Sequence, residues 1–425
     1  MMRKSIFLIS CLLWMGFLNS VWAASLHGRN SGYFLNFLSS HEYTDNLYLT
    51  DKNEKDDFVS LFGLSFVADK QFQVSYLNLD YSLSRSFYWQ HSGNNAFRHS
   101  LKLDYLRALT KKLSLDFKSN FYRTEEPIEK NEEVFREHKY KRETYYRYLG
   151  SLSVSYQFNP GFALSVGTSL NYLQNKNPSS EDSRIYSQFI RIKKEYIRYF
   201  AIGGLHFSQR EFEDTPQTNT WGIDASLGYK IARDKDVSLN FTIDRTQEMG
   251  PYSEDYWAYK GDIQFGYSPT PDQRYWVSVG YYYRDQDNSS DDDNGLTYSV
   301  NYAKEYQHTR IVLSGSGGYR YEYGEAENNG FTEYYLAGLR VIHEFSRTLM
   351  SEAGISYRYE DFKDEDRTDK TQELYLMLKK MFSKKAYVSL TYNYRHNNSD
   401  KDLESYTENL IQVFFIYNFW HGQSI

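Results

Sequence analysis

The chain has 425 residues, of which 18% are aromatic, with 42 Tyr and 28 Phe but only 7 Pro. So many β-formers exclude a disordered chain, and so few prolines exclude a linker-rich one. A formal net charge of -6 argues against nucleic acid as a partner, because a nucleic-acid-binding surface is basic.

The first element is a leader. "MMRK" is a short basic stretch, "SIFLISCLLWMGFL" an apolar one, and "NSVWA" places Val21 and Ala23 where a signal peptidase reads small or tolerated residues. This predicts a secretory signal peptide over 1–23, cleaved near Ala23, and one mature domain over 24–425. The apolar run is shorter than the roughly 20 residues that span a bilayer. Cys11, the only cysteine, lies inside that run rather than at its end, so it is not a lipidation site. The mature chain then has no cysteine. Disulfides, thiolate zinc, iron–sulfur clusters and thioether-bound haem are excluded, and no cofactor is expected.

Beyond the leader a period-2 alternation recurs to the end of the chain. In "LSLDFKSNFY", Leu113, Leu115, Phe117 and Phe121 oppose Asp116, Lys118 and Asn120. In "GIDASLGYKI", Ile223, Ala225, Leu227, Tyr229 and Ile231 oppose Asp224, Ser226 and Lys230. In "KAYVSLTYNYRHNN", Val388, Leu390, Tyr392 and Tyr394 oppose Tyr387, Ser389, Thr391, Asn393 and Arg395. Predicted strands run over 31–43, 58–68, 71–87, 96–108, 113–124, 142–158, 162–173, 184–193, 197–212 and 220–231. They continue over 236–248, 255–268, 273–286, 295–306, 309–323, 331–344, 348–362, 370–381, 386–397 and 405–420. The pattern blurs over "SRIYSQFIRIKKEYIRYFAIGGLHF", so the expected number is about 20, within 16–20.

Connections alternate between tight and long. "ADKQ" (68–71), "LTKK" (109–112), "NPG" (159–161), "ARDK" (232–235), "PTPD" (269–272), "FSRT" (345–348) and "FSKK" (382–385) are tight. "EEPIEKNEEVFREHKYK" (125–141) and "RDQDNSSDDDN" (284–294) are among the long polar ones. This is the rhythm of an up-and-down meander. No blade-length or coil-length repeat points to a propeller or β-helix. Aromatics crowd strand ends, as in "RSFYWQ", "SEDYWAY" and "FFIYNFW", which suits membrane–water interfaces. The expected fold is all-β: a transmembrane, up-and-down antiparallel barrel in the outer membrane of a Gram-negative bacterium.

Two hairpins add a family resemblance. "SSHEYTDNLYLTDKNEKDDFVSLFGLSF" (39–66) carries "YTDN" and "DDFV", and "SLTYNYRHNNSDKDLESYTENLIQVFFIYNF" ends on a Y-x-x-N loop exit and an aromatic strand. They resemble the β-barrel porin 2 type, outer-membrane porins associated with exosortase/PEP-CTERM surface sorting and exopolysaccharide systems. The resemblance implies a pore and no catalytic residues. Of the histidines, only His206 and Ser208, two apart on one strand face, could form a nucleophile–base pair. Coincidence in a serine-rich chain is the simpler reading, and no enzyme is expected.

The candidate lumen-lining residues are Lys102, Asp104, Asp116, Lys118, Asp224, Lys230, Arg284, Glu352, Arg358, Glu360 and Arg395, with Tyr76, Tyr282 and Tyr387. A wall of both signs either hydrates a pore or closes it with ion pairs. The leading reading is a porin-like channel for polar solutes, associated with exopolysaccharide export, with segment 125–141 folded inward as a constriction. The alternative is a non-conducting barrel whose outer loops bind a surface protein. Outer-membrane lipid and lipopolysaccharide would surround either one. Although mean hydropathy is -0.70, the chain ends on "LIQVFFIYNFW", predicted as the closing strand. Phe419 and Trp420 are the candidate signal for the barrel assembly machinery. "HGQSI" beyond them is expected to be dispensable for assembly.

Overall fold

Alternating residues give each segment two unlike faces, and a sheet with one greasy face must close or be covered. The computed structural model describes residues 32–125, 144–176, 182–212, 217–249, 255–270, 273–287, 293–323, 328–363, 366–401 and 404–423. The leader with its cleavage near Ala23, and residues 126–141 of the expected constriction, lie outside the described residues.

The strands are β1 (Gly32–Thr44), β2 (Asp57–Gln71), β3 (Ser75–Tyr88), β4 (Ala96–Ala108), β5 (Leu113–Thr124), β6 (Tyr145–Asn159) and β7 (Phe162–Asn175). There follow β8 (Ser183–Glu195), β9 (Tyr199–Phe212), β10 (Gln217–Ala232), β11 (Lys235–Met249), β12 (Tyr256–Thr270), β13 (Gln273–Gln286) and β14 (Asp293–Glu305). The last are β15 (Thr309–Tyr323), β16 (Asn328–Ser346), β17 (Leu349–Phe362), β18 (Arg367–Ser383), β19 (Ala386–Ser399) and β20 (Tyr406–Gln423). They form one 20-stranded sheet, and β1 pairs with β20. The barrel is therefore closed, with every strand antiparallel to its sequence neighbours. The blurred region resolves into β8 and β9.

Two boundaries differ from expectation. "ADKQ" is not a turn. It is the end of β2, because Gly32 and Tyr33 of β1 pair with Asp69 and Ala68 and keep the ladder going. The turn falls on 72–74 instead. At the other end, β20 runs past the aromatic pair to Gln423, and residues 421–423 pair with 32–34. "HGQ" is thus part of the closing ladder.

Among the tight turns, "NPG" shows how the sequence sets geometry. Pro160 fixes one backbone angle and Gly161 adopts φ +86°, a conformation that costs other residues a steric clash.

Register and exposure separate the two faces. Leu205, Ile223, Leu227, Leu239, Phe241, Ile263, Val279, Leu313, Ile355, Leu376, Leu390 and Val413 are exposed large apolar side chains. Their neighbours one residue away face inward. A soluble β-protein would bury such a belt; around a closed barrel it meets lipid. Tyrosines rim it. Near the tight turns, Tyr267, Tyr275 and Tyr302 form a ladder with centroids 5.7 and 5.0 Å apart. Near the long loops, Trp257, Tyr259 and Tyr283 do the same. In such barrels the short turns face the periplasm, so the ends are called the turn end and the loop end below.

The closing seam contains a β-bulge. Asn36 pairs with Asn418 and Leu35 with Trp420, which leaves Phe419 as the extra residue. The slip lets two consecutive aromatics share the lipid face, with Phe419 44% and Trp420 49% exposed.

Candidate functional site

By register the predicted lumen residues lie on the face opposite the exposed apolar belt, in unlike settings. On β4 and β5 the charges are paired along their own strand and wet. Lys102 lies 3.3 Å from Asp104, and Lys118 lies 3.9 Å from Asp116. The Lys118 side chain is 59% exposed. On β9 to β11, His206 bridges two carboxylates. Its Nδ1 is 3.1 Å from Asp224 and its Nε2 is 3.0 Å from Asp244. Gly222 lies between them on β10, and a Cβ there would overlap the imidazole. Lys230 pairs with Glu195 across the β9 strand.

From β17 to β20 the charges are dry. Arg395 is 2% exposed. Its Nε donates to Glu373 at 3.1 Å and its Nη1 to Glu408 at 2.9 Å. Glu408 also accepts from Thr44 of β1 at 3.2 Å. Arg358 donates to Glu360 at 3.0 Å; the buried Glu352 is paired with Arg340 of β16, whose own side chain is 54% exposed. Arg284, at the loop end of β13, is similarly buried against Asp293 at 3.0 Å. Among the predicted tyrosines, Tyr282 and Tyr387 are buried and Tyr76 half-buried.

Between these regions lies a hydroxyl row. Ser151, Ser169, Ser187, Ser208, Thr220 and Thr246 are register partners on six successive strands. Neighbours sit one strand apart, about 4.8 Å. One rung toward the turn end, Gly167 pairs with Phe189. A Cβ on Gly167 would overlap the ring, so Phe189 lies against the wall over the glycine. Phe200 lies over Gly228 in the same way. Ser208 bonds Ser187 at 3.2 Å, not His206, so the two do not form a nucleophile–base pair.

The end-hairpin motifs meet in space. Asp45 of "YTDN" accepts from the backbone N–H and the side-chain amide of Asn409, both at 2.7 Å. Asn46 donates to the Thr407 carbonyl at 2.8 Å. "YTDN" and the Y-x-x-N exit are therefore two halves of one clasp across the closing seam. Asp57 of "DDFV" is fully buried and accepts from the backbone N–H groups of Trp89, Gln90 and His91, each at 3.0 Å. It thus holds the β3–β4 loop. Glu125 anchors the start of the long β5–β6 loop through Arg98 at 2.6 Å and Ser86 at 2.6 Å.

Sequence periodicity identifies the inner face but not the height of a residue in a neighbouring strand. The pairing of His206 with Asp224 and Asp244, and of Arg395 with Glu373 and Glu408, was missed for that reason. Outside the strands, Asp287 lies beside Arg245 (2.5 Å), which holds its carboxyl below the ordinary range. Residues 288–292 of "RDQDNSSDDDN" lie outside the described residues.

Residues 276–416, from β13 into β20, match a family model described as "Putative beta-barrel porin 2". Over that part the chain is similar to this porin family, and the described residues form one closed 20-stranded antiparallel barrel. A solved structure described as the copper transporter OprC shares the barrel fold, with a TM-score of 0.54 and 8% identity over 92% of this chain and 82% of that one. Pseudomonas aeruginosa OccK2 (OpdF) aligns with a TM-score of 0.42 and 10% identity over 92% and 98% of the two chains. Acinetobacter baumannii OccAB3 aligns at 0.41 and 10% over 91% and 99%. No curated protein matches this chain.

Proposed function

We propose that the barrel is a channel for polar solutes and that saccharides are the class its inner wall suits best. The observation that carries this is the hydroxyl row beside rings laid against the wall. A sugar presents hydroxyls along its rim and C–H groups on its face. Ser and Thr hydroxyls both donate and accept, and an aromatic face takes the C–H surface. Phe189, beneath Ser187 and Ser208, supplies both together. The wet ion pairs of β4 and β5 keep the adjoining wall hydrated. With the family resemblance, this reading extends to polymers of an exopolysaccharide system.

Single-channel recording in planar bilayers tests it. Discrete conductance steps are expected, with transient block by linear oligosaccharides and weaker block in Phe189→Ala. A purified, folded barrel that gives no steps would count against a channel.

The dry charges of β17 to β20 support a second reading, a barrel closed by ion pairs whose loops bind a partner. Deleting 127–141, which spares Glu125, separates the two. Higher conductance supports the channel. Unchanged conductance with lost surface binding supports the interaction role.

A further inference from the structure

The ladder between β14 and β15 stops short of the loop end. Residues 298–305 pair with 310–317. Beyond that, β14 continues to Asp293 in register with β13, and β15 continues in register with β16. Residues 294–297 and 318–321 face one another without rungs, although both flanking seams run on.

The departure starts at Gly318, with φ +150°, a backbone region that only glycine adopts readily. Ser314 and Ser316 face inward, so alternation would send Tyr319 to the lipid. Instead its ring packs 4.8 Å from that of inward-facing Tyr282 and 5.2 Å from that of Phe331. Phe331 is fully buried, and the Arg284 guanidinium lies 4.2 Å over its ring. The loop-end parts of β15 and β16 therefore lean into the barrel mouth and leave the wall.

A carboxylate occupies the gap. A Cβ on Gly295 of β14 would lie 2.7 Å from the Tyr282 ring and 3.0 Å from Glu333 Oε1. That same oxygen accepts from the Tyr335 hydroxyl at 2.5 Å. Tyr335 stacks with Tyr298 and lies tilted to Tyr359 on the lipid face, each at 6.1 Å. Beside it Leu296, on the unpaired edge of β14, is 61% exposed. One polar group thus touches an inner-face tyrosine and a lipid-face tyrosine through the wall.

We propose that the β14–β15 seam is a lateral port, hinged at Gly317–Gly318, through which an amphipath passes between the lumen and the outer leaflet. Its polar head would meet Glu333 and Arg284, and its apolar chain would lie along Leu296 and Tyr298. Backbone polar groups exposed in a membrane wall are costly unless they line a polar path, and the Glu333 carboxylate provides one. The proposal does not rest on the saccharide reading, since conductance along the barrel axis is a separate measurement.

The test uses the full chain in phosphatidylcholine/phosphatidylglycerol vesicles with radiolabelled acyl chains. The photoreactive residue p-benzoylphenylalanine replaces Tyr319, or Leu296 as the lipid-facing standard, or buried inner-face Tyr387 as the reference. Lipid capture at position 319 is expected about tenfold above the Tyr387 reference if the open state is sampled. The ideal Cβ of Gly318 lies 3.3 Å from the Cβ of Thr297, so a Thr297→Cys/Gly318→Cys disulfide should bring capture down to the reference, and reduction should restore it. Glu333→Gln, which leaves Gly318 untouched, should raise capture severalfold. Capture at 319 equal to the Tyr387 reference while Leu296 labels strongly would overturn the port, as would capture indifferent to both the disulfide and Glu333→Gln.

Discussion

The wall of β4 and β5 and the wall of β17 to β20 carry the same kinds of residue on the same inner face, yet they differ in what the charges do. Lys118 and Asp116 are i, i+2 partners on one strand, both well exposed. Water screens them, and the pair is worth little to the fold. Arg395 joins three strands, with its carboxylate partners on β18 and β20, and all of that side chain is dry. Charge inside a barrel is therefore not one property. Pairs along a strand set the field of the lumen, whereas pairs across strands hold strands in register.

The comparison can be broken in order of expected effect. Arg395→Ala strands two carboxylates, of Glu373 and Glu408, and should cost about 3–5 kcal/mol; Lys118→Ala should cost almost nothing. Heat-modifiable migration in detergent gels measures both, and equal losses would erase the distinction. Next, Asp45→Ala opens the clasp between "YTDN" and Asn409 and should cost about 2 kcal/mol, read as earlier opening of the closing seam by hydrogen exchange. For the aromatic pair, Phe419→Ala/Trp420→Ala should impair assembly more than truncation after Trp420, which removes only the rungs of 421–423. Equal impairment would mean that the rungs, not the rings, matter. The wet wall shows itself in selectivity: Lys102→Glu with Lys118→Glu should shift the reversal potential toward cations while leaving the melting transition in place.

The smallest effect is one of pH. The Arg245 guanidinium depresses the Asp287 carboxyl, so the clasp between β11 and the β13–β14 loop is present at neutral pH and above. It is lost as pH falls through the lowered folded value, below the ordinary carboxylate range near 4. Hydrogen exchange at the β13 loop end should rise in that window, and Asp287→Asn should remove the pH dependence.

Much of this architecture was legible in the sequence. Period-2 alternation is a local property of the chain, so the strands and the inner face of Lys102, Asp224 and Arg395 followed directly. The alternation of tight and long connections carried the topology. What stayed hidden depends on register, which is decided by pairing. Nothing near His206 marks Asp244, which lies two strands away, and nothing near Arg395 marks Glu408 as nearer than any other glutamate. "YTDN" and "YTEN" were visible as motifs, but their meeting required the barrel to close. The infolding at the β15–β16 end of the mouth was not legible either. Tyr319 and Phe331 turn inward because Gly318 breaks the alternation, and "SGSGGYR" gives no sign of which glycine does so.

The clasp at the closing seam bears on how the barrel is made. Its hydrogen bonds join residues 361 to 364 positions apart, whereas the other seams join strands adjacent in the chain. The entropy of bringing chain ends together grows as the logarithm of the loop, so this contact costs roughly 2.5 kcal/mol more to form than a ~20-residue hairpin. The side-chain bonds concentrated at Thr44, Asp45 and Asn46 are of the size needed to offset that difference. The first strand is thus committed only when the last has been made, and the polar hooks that let it recognise its partner sit at the far rim from the start of β1 and the end of β20.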